Sequence, residues 1–164
     1  LYFSSKEDLF RAMVEARVEG ALAGIEELVR AWDGSTTDLL EAFVEQYWGY
    51  MGRMENCRLA RLVISELANF PELARFHYRS VVLRVRRVIE SILERGIAQG
   101  EFRRLDPVFA ARALQLLCVH LAQFLVYFQP HDPTPVSRED MLAGILDLYL
   151  HGVLSTSAPA APES

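Results

Sequence analysis

The side chains able to do chemistry are scattered along this sequence. Four histidines, His77, His120, His131 and His151, fall in different segments, and none has the HxxxH or HxxE spacing that sets two ligands one turn apart on a helix. His131-Asp132 is a weak pair in a proline-rich loop. Cys57 and Cys118 are far apart and form no CxxC motif, which points away from a zinc ribbon or a redox pair. There is no Gly-rich phosphate loop, no nucleophile elbow and no pair of acids set across a cleft. The sequence therefore offers no catalytic constellation and no metal site, and calls for no cofactor. Arg79, Arg84, Arg86 and Arg87 cluster, but Glu90 and Glu94 share their outer helical face at pairing distance, so the group reads as a solvated, salt-bridged surface. His120, inside an apolar run, and Arg84, at the edge of an apolar face, could each bond a ligand carboxylate or hydroxyl. Each also reads as a satisfied buried histidine and a snorkelling arginine, the reading favoured here.

Binding, rather than catalysis, is what the bulk properties leave open. The 164 residues are 51% hydrophobic and 24% charged, the composition of one globular domain with a sizeable core. Seventeen basic against 22 acidic residues give a net charge of −5, so this segment alone is repelled by nucleic-acid phosphates. Two unpaired cysteines fit a reducing cytoplasm. The longest apolar run, Ala113 to Phe128, is interrupted by Gln115, His120 and Gln123 and falls short of the ~20 residues of a spanning helix. It reads as a buried helix, and no membrane association is expected.

The elements that must position any site are all helical. Ser5 caps a first helix, with Glu7 and Asp8 in its first turn, that runs to about Trp32. Asp33-Gly34-Ser35 breaks it, and Thr36 or Thr37 is expected to cap a second helix carrying Leu39, Leu40, Phe43, Val44, Tyr47, Trp48 and Met51. A short third helix spans about Arg58 to Asn69. Pro71 suits the first turn of a long fourth helix, and Gly100 the position just past its end. A fifth helix, from Pro107, is apolar almost all round to Phe128, which means cover on more than one side. Ser137 with Asp140 caps a last helix presenting Met141, Leu142, Ile145, Leu146, Leu148 and Tyr149. The tail from residue 155, rich in alanine and proline, has too little to bury and is expected to be disordered.

The opening Leu1-Tyr2-Phe3-Ser4-Ser5-Lys6-Glu7-Asp8-Leu9-Phe10 resembles the tail of the DNA-binding head of TetR-family regulators. There an aromatic pair ends the recognition region and Ser-Lys-Glu starts the next helix. The Phe70-Pro71-Glu72-Leu73 join, the Gly96-Ile97-Ala98-Gln99-Gly100-Glu101 ending and Asp106-Pro107 before an apolar helix are similar to regulatory domains of the same family. The resemblance implies that 1–4 are the remnant of a helix-turn-helix head that is otherwise missing, and that 5–154 form a ligand-binding and dimerisation domain. It implies phosphate contacts from Tyr2 and Lys6, operator DNA bound through the head, and a homodimer whose last two helices build a four-helix bundle. The surplus apolar surface of the fifth helix argues for the dimer independently, although a central helix of a monomeric bundle would show the same pattern.

The resemblance further implies a lipophilic small-molecule effector in the core, which would need large apolar walls and a few polar groups. Phe43, Tyr47, Trp48 and Met51 on the second helix and Val63 and Leu67 on the third supply such a wall. Val82, Arg86 and Ile89 on the fourth and Leu117, His120, Leu121 and Phe124 on the fifth complete it. Arg112, Gln115, Val119, Gln123 and Val126, with Met141, Ile145, Leu148 and Tyr149 of the last helix, are then left for the dimer interface. The expected function is a TetR-like regulator, in the repressor sense, whose operator affinity follows effector binding. The competing reading is a helical protein-protein interaction module without a ligand, and a cryptic enzyme ranks last.

Overall fold

The structure, a computed structural model, describes residues 6–67 and 69–151, without the side chains of Lys6, Glu7 and Glu15. The expected remnant at 1–4, with Tyr2, and the expected disordered tail lie outside the described residues. Among the described residues seven α-helices follow one another: α1 (Lys6–Ala31), α2 (Thr36–Met51), α3 (Met54–Leu67), α4 (Pro71–His77), α5 (Leu83–Gln99), α6 (Pro107–Tyr127) and α7 (Arg138–His151). A π-helical turn, Tyr78–Val82, joins α4 to α5, and a short 3-10 turn, Gln129–His131, follows α6. No strand occurs among the described residues. The all-α class expected from the sequence is what the chain adopts.

Helix α2 is the centre of the bundle because its apolar residues recur three and four apart. Leu39, Leu40, Phe43, Val44, Tyr47 and Trp48 are buried, Phe43 stacking on Tyr47 at 5.7 Å between ring centres. Around α2 pack α1, α3, α5 and α6. Its N-cap is Ser35 rather than either threonine, the Ser35 hydroxyl accepting the Asp38 N–H at 3.0 Å. The threonines are engaged elsewhere: the Glu101 carboxylate accepts the Thr36 N–H (2.9 Å) and the Thr37 N–H (3.0 Å). Those amide bonds lower the Glu101 pKa below the usual carboxylate range.

The join that supplies Glu101 depends on two glycines. Gly100 adopts φ +77° at the end of α5, a left-handed conformation that glycine takes without strain. The Glu101 and Phe102 N–H groups then turn back onto the Gly96 carbonyl at 2.9 and 3.1 Å. Phe102 lies on Gly96 so closely that a Cβ there would meet its ring at 2.1 Å. Asp106 caps α6 through the Val108 and Phe109 amides, with Pro107 in the first turn. Ser137 accepts the Asp140 N–H at the start of α7.

Two elements depart from expectation. Helix α3 begins four residues early, at Met54, since Asn56 and Cys57 bond back to the Tyr50 and Met51 carbonyls and anchor its first turn. The long helix from Pro71 is interrupted by the π turn, where the Leu83 N–H reaches five residues back to Tyr78.

The expected buried helix is buried along one stripe only. Ala111, Leu114, Cys118, Leu121 and Ala122 of α6 enter the core, while Phe109 (68% exposed), Leu116 (63%) and Leu117 face outward. By length and composition alone α6 could cross a membrane; here it forms one wall of the bundle, packed on α2, α3 and α5. Helix α7 lies over the core through Met141, Leu142, Ile145 and Tyr149, yet none of its residues is fully buried. Arg138 ties its start to the Trp48 carbonyl (3.1 Å), and the Tyr149 hydroxyl donates to the Ala110 carbonyl (2.9 Å).

Candidate ligand-binding site

A cavity of ≈ 400 Å³, open to the surface beside Ile64, Arg112 and Leu116, lies between α1, α2, α3, the π turn with α5, and α6. That is within the ~300–1,000 Å³ of small-molecule sites. Helices α1 and α3 give it an apolar wall that includes Val14, Val18, Leu22, Leu59, Val63 and Leu67. The opposite wall is different. The π turn inserts one residue, which rotates the flanking segments by about 100° relative to each other. His77 of α4, Val81 and Val82 of the turn, and Val85 and Arg86 of α5 line the same space. Gln115 of α6 fastens this wall by donating to the Val82 carbonyl at 2.9 Å.

Arg86 is only 8% exposed. One guanidinium nitrogen, Nη1, donates to the Tyr78 hydroxyl at 3.1 Å, and the group stands 5.4 Å from the Tyr78 ring centre. Its Nε is buried without a partner. The solvated arginine face expected here is thus corrected for two members. Arg86 points inward, because the spacing 82, 86, 89, 93 places it on the buried face of α5. Arg84 pairs with Glu19 and Glu26 of α1 at 2.8–3.1 Å, not with Glu90 or Glu94, and docks α1 on α5. Burial lowers the pKa of His77, whose Nδ1 is likewise unpartnered, so the imidazole is neutral. Burial also raises the pKa of Tyr47.

Of the residues proposed for the ligand wall, Tyr47, Met51, Val63, Leu67, Val82 and Arg86 line the cavity. Phe43, Trp48, Ile89 and Leu121 are packed in the core away from it. Leu117 and His120 face outward and Phe124 packs on Phe128. The face of α6 that meets the cavity carries Arg112, Gln115, Leu116 and Val119, three of which were assigned to the dimer interface. Helix α6 is turned this way because its small residues, Ala111, Cys118 and Ala122, let it close on its neighbours, while an all-round apolar sequence gives no other clue to its facing. Gln123 is half-buried beside Arg61 and Tyr127. Val126, Met141, Ile145 and Tyr149 rest partly buried on the core, and Leu148 is 57% exposed. The contribution of α1, through six residues from Met13 to Ile25, was missed altogether; its apolar spacing of three and four was the available signal. The Lys6 backbone opens α1, and its side chain lies outside what is described.

A second, wider cleft of ≈ 850 Å³ runs along the surface between α6, α7 and the 101–106 join. Its walls include the exposed Phe109, Leu117 and Leu148 beside Arg103, Asp106 and His151, so it is an open surface cleft. Among the described residues no three His, Cys, Asp or Glu side chains converge as for a metal ion. Cys57 and Cys118 are buried and free, and burial pushes the Cys118 thiol up to about 12.

A family profile described as "AefR-like transcriptional repressor, C-terminal domain" matches residues 38–151. No curated relative matches the chain. Among solved structures, the fold is similar to a transcriptional regulator of the TetR/AcrR family from Thermobifida fusca YX-ER1, with a TM-score of 0.64 and 21% identity over 94% of this chain and 78% of that one. The profile covers most of the chain and the fold agrees with it: the chain belongs to the TetR family of transcriptional regulators.

Proposed function

We propose that this chain is the sensing and dimerisation part of a repressor whose operator affinity is set by a lipophilic small molecule in the α1–α6 cavity. The observation that carries the reading is the cavity itself, set between the helices and lined mainly by aliphatic side chains. Helix α1 gives the cavity a mechanical outlet. It supplies one whole wall, and its N-terminal end carries the segment that resembles the join to a DNA-binding head. A ligand that fits one placement of α1 better than another shifts the heads by its differential affinity. Operator DNA is held by the head, with Tyr2 and Lys6 as phosphate contacts.

The same reading makes the protein a homodimer through α6 and α7, since Phe109, Leu117 and Leu148 leave an apolar strip in the isolated subunit. That strip is also what an interaction module without a ligand would show. Fluorescence anisotropy of operator DNA with the intact regulator, with and without lipophiles that stabilise the protein, separates the two. A ligand-dependent change in operator affinity is expected, of the size typical of allosteric coupling, about 5–150-fold. Operator binding indifferent to every stabilising lipophile would contradict it.

A further inference from the structure

The cavity is not evenly apolar, and its charged groups have one sign. Two arginines, Arg86 and Arg112, and the neutral His77 line it, whereas no Asp or Glu does among the described residues. In a chain of net charge −5 this is a local reversal. Arg86 is the sharper case, because the residue is more than nine-tenths buried and no carboxylate pairs with it among the described residues. Arg84, two residues away and more exposed, pairs with two. Burying a cation without a counter-charge is unfavourable, and one hydroxyl and one ring face offset it only partly.

The missing charge has a defined place. Tyr78 occupies Nη1 and Nε is packed away without an acceptor, which leaves Nη2 as the donor with no acceptor among the described residues. A carboxylate oxygen set on Nη2 makes a charge-assisted hydrogen bond to the guanidinium. The opposite wall, from Val14, Val18, Leu59 and Val63, suits an apolar body. Building on the sensor reading above, we infer that the cavity takes a lipophilic carboxylic acid, bound as its anion with the carboxylate on Arg86, Arg112 beside it, and the hydrocarbon part between α1 and α3.

The test is thermal stabilisation and calorimetric titration of the wild-type protein with octanoate, decanoate and dodecanoate, with the alcohols of equal chain length, and with acetate. Repeating it on Arg86→Met, and on Arg86→Gln should the first not fold, completes the experiment. A charge-assisted pair predicts that the acid of fitting length binds about tenfold or more tightly than its alcohol. In the Arg86 variant that ratio falls to about one, and the variant without ligand melts no lower than wild type, since an unpaired buried cation has been removed. Acid and alcohol binding equally would overturn the carboxylate assignment and leave a lipophile sensor standing. Stabilisation by acetate as strong as by the long acids would overturn it in favour of a plain anion site. An acid preference unchanged in the Arg86 variants would remove Arg86 from the site. Absence of binding by every acid and alcohol would overturn both this inference and the sensor reading beneath it.

Discussion

The residues that distinguish this cavity from plain core are those whose polar atoms find no protein partner. His77 is one. Its imidazole is held neutral by burial, so the folded state resists a proton that the unfolded chain accepts near the ordinary histidine pKa of 6.5. A depressed folded pKa contributes stability that is present above that value and lost as pH falls below it. Urea midpoints measured from about pH 7.5 down to about pH 5.5 should therefore decline more steeply for wild type than for His77→Leu; parallel slopes would show that His77 carries no such linkage. The cysteines make the opposite point. Both are buried, and the raised thiol pKa of Cys118 keeps it protonated, so a disulfide-exchange reagent should label neither until the protein is unfolded. The sequence reads Arg86 two ways, as solvated by its charge and as part of the ligand wall by its spacing from Val82 and Ile89, and its burial follows the spacing.

Among the elements, the short join after α5 is the most constrained. Gly96 lets Phe102 close over the helix, Gly100 makes the left-handed turn, and Glu101 reaches across to the first amides of α2. Gly96→Ala puts a methyl group into the Phe102 ring and should destabilise by about 1–3 kcal/mol, as overpacking does, read as a lowered urea midpoint with an unchanged slope. Glu101→Gln should lower the melting temperature at neutral pH and little at acid pH, where the wild-type carboxylate is itself protonated and the capping advantage is gone. Most of this was legible beforehand: Pro71 and Gly100 marked the ends of the long helix, and Asp106-Pro107 and Ser137 marked two starts. The Ser35 cap and the π turn were not. Three adjacent hydroxyl residues compete for one cap, and the bond from Gln115 to the Val82 carbonyl at the end of the π turn is made across helices, which local sequence does not encode. The facing of α6 was equally hidden, because an apolar residue on every side erases the periodicity from which a face is read.

For the whole molecule, two surfaces decide the account: the exposed apolar strip of α6 and α7, and the cavity among α1–α6. If the strip is a two-fold interface, charging it with Phe109→Glu and Leu148→Glu should raise the dimer dissociation constant by about tenfold or more in sedimentation equilibrium, since each side chain loses ~1.5–3 kcal/mol of burial. An unchanged constant would place the interface elsewhere. The cavity is the more central claim, and the measurement that tests it most directly is a calorimetric titration of decanoate and decan-1-ol into wild type and into Ala60→Phe, a substitution that fills the space from α3. Saturable binding to wild type, weakened about tenfold or more in a folded Ala60→Phe, is what this structure predicts. Equal binding to both proteins, or no binding to wild type, would contradict it.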